Sequence, residues 1–119
     1  LGQEYINASC EKAYATFEGA DPIPLVKVDG ETGLYVLELY HGPTCAFKDV
    51  ALQLLPYLLK KSLEVTGKKG EVLILTATSG DTGKAALEGF CDVPGIRILV
   101  FYPEEGVSPL QKKQMIRRP

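Results

Sequence analysis

Two runs of aliphatic residues, Val72 to Thr78 and Ile96 to Tyr102, constrain this chain more than anything else in it. Both are nearly continuous in Val, Ile and Leu. A strand with one face in water alternates apolar and polar residues, so runs like these read as strands covered on both faces. A third segment of this kind, Leu34 to Tyr40, precedes a long helical pattern from Ala46 to Val65 that carries Phe47, Ala51, Leu54, Leu55, Leu58, Leu59 and Leu63. Helical patterns also follow the other two strands, at Asp81 to Phe90 and at Ser108 to Met115. Strand and helix alternating three times predict an α/β fold, a three-layer parallel sheet with flanking helices and right-handed crossovers.

Local signals refine this outline. Ile6, Cys10, Ala13 and Phe17 recur at helical spacing and predict an N-terminal helix that Gly19, Pro22 and Pro24 end. Asp29-Gly30 with Gly33 predicts a tight turn of hairpin type after Leu25 to Val28. Pro56 inside the long helical run should kink it, and Gly67 stands where a C-cap glycine is expected. Ser108-Pro109-Leu110-Gln111 matches a capping box, with Ser at N-cap, Pro at the first helical position and Gln at N3.

Composition removes several function classes. Of 119 residues, 13 are Lys or Arg and 15 are Asp or Glu, interspersed, for a net charge of −2. No basic field for nucleic acid exists, and no apolar run reaches the length of a membrane span. Cys10, Cys45 and Cys91 are too far apart for a close metal pair and odd in number for a disulfide framework, which points to reduced thiols, a cytoplasmic setting and no metal. The pairs Lys60-Lys61 and Lys68-Lys69 read as solvated charge.

Ligands of parallel sheets bind outside the carboxyl ends of the strands, and two of those ends are unusual here. The strand from Val72 runs into Thr78-Ser79-Gly80-Asp81-Thr82-Gly83 at the start of a helix. Glycines permit close approach of backbone to a ligand, Ser79 and Thr82 offer hydroxyls, and the first-turn amides favour a carboxylate or phosphate. The plainer reading is that Ser79 or Asp81 caps the helix. A P-loop is excluded at both ends, because Thr78 replaces the first glycine and Ala85 the magnesium-binding hydroxyl. The strand from Leu34 runs into His41-Gly-Pro-Thr-Cys-Ala-Phe-Lys-Asp49. Lys48 stands near a helix start, where positive charge is misplaced, and an amine disfavoured as ammonium suits Schiff-base chemistry. The alternative is a surface lysine paired with Asp49. His41, the only histidine, reads as a structural hydrogen bonder before a base, and Cys45 lacks a second histidine to activate it.

The two loops together resemble one family. The segment His41 to Asp49 resembles the lysine segment of the threonine synthases, pyridoxal-phosphate enzymes of the second structural fold type, related to the tryptophan synthase β chain. Leu75 to Gly83 resembles that family's next glycine loop in content, order and separation. Phe101-Tyr102-Pro103, Ser108 to Gln111 and Met115 continue the likeness, as do the N-terminal helix and Ile23-Pro24-Leu25. The resemblance implies pyridoxal 5′-phosphate as cofactor, held as a Schiff base by Lys48, which then shuttles protons as O-phospho-L-homoserine and water become L-threonine and phosphate. It implies that Asp81 lies at the cofactor, that Ser79, Gly80, Thr82 and Gly83 take the substrate carboxylate, and that Phe47 and Asp49 support the lysine.

Family members are much longer, so the resemblance also implies a fragment, inactive alone. Residues 1–33 would be an N-terminal helix and connecting segment at the edge of a large domain. Residues 34–115 would be the smaller cofactor-facing domain, and 116–119 a tail foreign to the family. The rest of the large domain, carrying the loop for the cofactor phosphate, would be the partner, and the surface awaiting it could drive self-association. Two other functions fit the same loops: a related phospho-lyase that yields a 2-keto acid, and a non-catalytic anion-binding module.

Overall fold

The computed structural model describes residues 1–116, and the last three positions of the expected tail lie outside the described residues. Helix α1 (Gln3–Tyr14) comes first. Ala13 and Phe17 are buried while Ile6 and Cys10 are half-buried, so the expected face is the packed one. Two tyrosines fasten α1 to the rest of the chain: the Tyr5 hydroxyl donates to the Tyr57 carbonyl at 2.8 Å and the Tyr14 hydroxyl to the Val50 carbonyl at 2.9 Å. Burial pushes the Tyr14 phenol above its ordinary range, with Cys10 adding to the effect.

Strands β1 (Leu25–Lys27) and β2 (Tyr35–Leu37) pair antiparallel, with Val26 opposite Val36. The turn between them is built on Asp29, whose carboxylate accepts from the Glu31 and Thr32 amides and from the Thr32 hydroxyl. These bonds, the Thr32 hydroxyl foremost, hold Asp29 below the usual carboxylate range. The hairpin turn is therefore as expected, but the partner of the Leu34 to Tyr40 segment is not. That segment does not enter the parallel sheet, because the Asp29 turn delivers β1 to it locally and a close antiparallel partner needs no long loop closure. The expected division between residues 33 and 34 falls at the end of this turn, between strands that pair.

The run from Ala46 to Val65 is two helices rather than one kinked helix, α2 (Asp49–Leu52) and α3 (Leu55–Val65). Pro56 sits in the first turn of α3, where its missing N–H costs nothing. The Leu52 carbonyl, which a residue other than proline at 56 could have bonded, turns toward Gly89, where an added Cβ would lie 2.2 Å from its oxygen. Gly67, at φ +65°, ends α3 as expected: its amide donates to the Glu64 carbonyl and that of Lys68 to the Leu63 carbonyl, the paired bonds of a Schellman cap.

Strands β3 (Val72–Ala77) and β4 (Ile96–Phe101) run parallel in register from Val72 opposite Ile96 to Ala77 opposite Phe101. Helix α4 (Asp81–Phe90) crosses between them, at the residues the sequence predicted, and α5 (Pro109–Ile116) follows β4. The core is Ala86, Phe90 and Ile96, with Leu52, Leu59, Ile74, Val93 and Ile98 packed around it. All of it lies on one side of the sheet. On the other, Leu73, Leu75, Leu99 and Phe101 are each about half exposed or more (56%, 60%, 48% and 57%), so among the described residues these strands are covered on one face only. Their continuous apolar sequence fits a second cover that the described residues do not supply.

Candidate active site

The loop before α2 is closed by one carboxylate. Asp49 is completely buried. Its Oδ2 accepts from the Thr44 amide at 2.8 Å and its Oδ1 from the Thr44 hydroxyl at 2.7 Å. Gly42 packs on the same side chain, and a Cβ there would come 2.6 Å from Asp49 Cβ, so only glycine allows the loop to close this tightly. Cys45, at φ +55°, takes the left-handed backbone that the loop's reversal requires. Lys48 is carried at the end of this lock, immediately before α2, with its ammonium 4.1 Å from the centre of the Phe47 ring. Pairing of Lys48 with Asp49 does not occur, because Asp49 faces inward to Thr44.

The second loop is shaped by Thr78. Its Oγ1 accepts from the Gly80 amide at 3.1 Å and from the Gly83 amide at 3.2 Å, so the cap on α4 comes from Thr78 rather than from Ser79 or Asp81. The Asp81 and Thr82 amides, in the same first turn, have no acceptor within the helix. Gly83 is buried, and an added Cβ would sit 2.3 Å from Thr78 Cγ2 and 2.9 Å from Val100 Cγ1. Asp81 stays at the surface of the loop, bonded through Oδ1 to Gln111 Nε2 at 2.8 Å and to Lys84 Nζ at 3.2 Å. The Gln111 bond foremost, with Lys84 and the positive field of Lys48, keeps this carboxyl below its ordinary range against the opposing effect of burial.

Folding brings the two loops together. Lys48, Ser79, Gly80, Asp81 and Thr82 line one polar cleft of about 220 Å³ with Thr78 and Gln111. Lys48 and Thr82 also line an adjoining apolar cleft of about 470 Å³, walled by Leu39, Phe47, Val50, Ala51 and Leu52. Of the site residues that the resemblance implies, Gly83 and Asp49 lie outside both clefts, behind the surfaces they shape, and His41 and Cys45 line neither cleft. His41 does structural work: Nε2 is 2.6 Å from Glu38 Oε2, the ring stacks on Tyr40, and the carbonyl accepts from the Glu18 amide. The His41 bond foremost, then that from Tyr40, holds Glu38 below the usual carboxylate range. Sequence reasoning gave Gln111 only its capping box and missed its reach across 30 residues to Asp81. The apolar wall was also missed: Leu39, Val50 and Leu52 lie within an expected strand and an expected helix, and nothing in their spacing singles them out.

No protein-family model matches the chain. The threonine synthase of Saccharomyces cerevisiae is 40% identical to it over 117 residues, which cover 92% of this chain and 23% of that protein. The threonine synthase of Pseudomonas aeruginosa is 46% identical over 106 residues, covering 88% of this chain and 22% of that protein. Among solved structures, that of a PLP-bound threonine synthase from Brucella melitensis superposes with a TM-score of 0.82 at 42% identity, over 94% of this chain and 23% of that one. The chain thus spans under a quarter of the length of each of these three proteins. Among the described residues, no helix is long and apolar enough to cross a membrane.

Proposed function

We infer that this chain, similar to threonine synthases over nine-tenths of its length, is the lysine-bearing segment of such an enzyme. Its reaction would be the conversion of O-phospho-L-homoserine and water to L-threonine and phosphate, with pyridoxal 5′-phosphate held by Lys48. One observation carries the reading: Lys48 stands where an apolar cleft meets a polar cleft at a helix N-terminus.

The residues fit the cofactor. A flat ring needs an apolar wall, which Leu39, Phe47, Val50 and Ala51 provide, and an amine at its edge, which Lys48 provides. Bound there, the cofactor would act as the electron sink that makes a substrate carbanion accessible. Lys48 Nζ takes and returns the protons, held in place by the Asp49–Thr44 lock and by the Phe47 ring. The Asp81 and Thr82 amides and the Ser79 and Thr82 hydroxyls bind the substrate carboxylate at the positive end of α4. Gly80 serves this by lining the cleft and Gly83 by packing on Thr78 behind it, and Asp81 sets the charge on the cofactor side.

The bare face of the β3–β4 sheet and the exposed hairpin residues Leu25, Tyr35 and Leu37 support docking against further protein, which we take to be the large domain of the same enzyme. Residues 34–115 would then be the cofactor-facing unit and residues 1–33 its link to that domain, in a cytoplasmic enzyme whose cysteines stay reduced. The test is Lys48→Ala in the full-length protein that contains this sequence. The visible absorbance of the bound cofactor should vanish, and a variant that kept it would overturn the role of Lys48.

A further inference from the structure

Gln111 is fixed at one end before it reaches the cleft. Its Oε1 accepts from the Ser108 hydroxyl at 3.0 Å and the Ser108 amide at 3.4 Å, and its own amide donates to Ser108 Oγ at 3.2 Å. With the oxygen committed to two donors, only the NH₂ group can face outward, and it donates to Asp81 Oδ1 at 2.8 Å. The side chain also fills the space above Gly80, where a Cβ would come 2.5 Å from Nε2, so no other side chain can slip between the loop and α5. A capping residue of α5 thereby grips the loop that opens α4.

We propose that Gln111 is a positioning residue of this site, whose side-chain amide holds the Asp81 carboxylate on the cleft that it shares with Lys48. This role rests on Lys48 being the lysine that carries the cofactor. The groups acting on Asp81 are Lys84 from its own helix, Lys48 from the loop before α2 and, from α5, the neutral Gln111. An anion anchored in this way fixes the field in which the Lys48 amine gains and loses its proton. An Asp81 free to swing into water would have that field screened.

Gln111→Leu removes the donor to Asp81 without adding charge, and Ser108→Ala, which weakens the same cap but leaves the Nε2 donor, controls for the loss of the capping box. In the full-length protein loaded with pyridoxal 5′-phosphate, Gln111→Leu should move the pH midpoint of the cofactor's visible absorbance, and the corresponding limb of the kcat/KM profile, downward by about half a unit or more, since an Asp81 screened by water no longer favours the cationic form. Ser108→Ala should lower stability and leave that midpoint in place. A Gln111→Leu midpoint at or above that of wild type, or an equal shift in Ser108→Ala, would overturn the positioning role. The assignment of Lys48 fails separately, if wild-type protein shows no cofactor absorbance that depends on Lys48.

Discussion

Replacing Asp49 by alanine removes both acceptors from Thr44, and the cost follows from the burial of both residues. Asp49 is fully covered and Thr44 is 6% exposed, so neither the Thr44 amide nor its hydroxyl could turn to water instead. Each buried donor left without a partner costs about 1–3 kcal/mol, which puts Asp49→Ala at about 2–6 kcal/mol, a large share of the ~5–15 kcal/mol typical of a domain. Asparagine separates hydrogen bonding from charge. Its oxygen can accept from the Thr44 amide while its NH₂ donates to the Thr44 hydroxyl, which is able to accept, so Asp49→Asn should lie within about 1 kcal/mol of wild type. Urea denaturation of the three proteins measures the series. Acylation of Lys48 by an amine reagent, read by mass spectrometry, reports on the loop itself and should be faster in Asp49→Ala only. An Asp49→Ala protein within about 0.5 kcal/mol of wild type, with unchanged Lys48 reactivity, would refute the idea that this carboxylate holds the lysine in place.

Gly89→Ala should destabilise the chain by about 1–3 kcal/mol although alanine is the better helix former, because the new methyl meets the Leu52 backbone; thermal unfolding would show the loss. The depressed Asp29 carboxyl contributes turn stability that is complete above the unfolded value near 3.9 and is lost as pH falls through the lower folded value. The Thr32 amide proton resonance should therefore titrate with a midpoint below about 3.9, and Thr32→Val should raise that midpoint. The open sheet face predicts self-association of this chain alone, relieved by Leu75→Lys with Leu99→Lys; light scattering giving a clean monomer at high concentration would count against it. In the full-length protein, O-phospho-L-homoserine should yield threonine, and 2-ketobutyrate as the product would favour the phospho-lyase instead.

What the sequence made legible was what local chemistry decides. The Asp29 turn, the Gly67 cap, the Ser108 capping box and the limits of α4 each depend on residues within a few positions of one another. What it hid depends on partners far along the chain or on choices that apolar residues do not make. Leu34 to Leu37 would bury equally well in a parallel or an antiparallel sheet, so its pairing with β1 could not be read from its own residues. Pro56 is equally at home as a kink or as a helix start, and what surrounds it decided for the start. Of the candidate site, Lys48 and the Ser79 to Thr82 loop were visible because their residue types are unusual at strand ends. The turn of Asp49 toward Thr44 and the grip of Gln111 on Asp81 were not, because both depend on folded geometry rather than on spacing.

If Lys48 carries the cofactor, its amine is the one point of covalent attachment on this chain. Loading the full-length protein with pyridoxal 5′-phosphate, reducing it with borohydride and mapping its peptides by mass spectrometry would locate the attachment. The pyridoxyl group should appear on Lys48 alone; finding it on Lys84, the neighbouring amine beside Asp81, or on no lysine of this chain would overturn the assignment of Lys48.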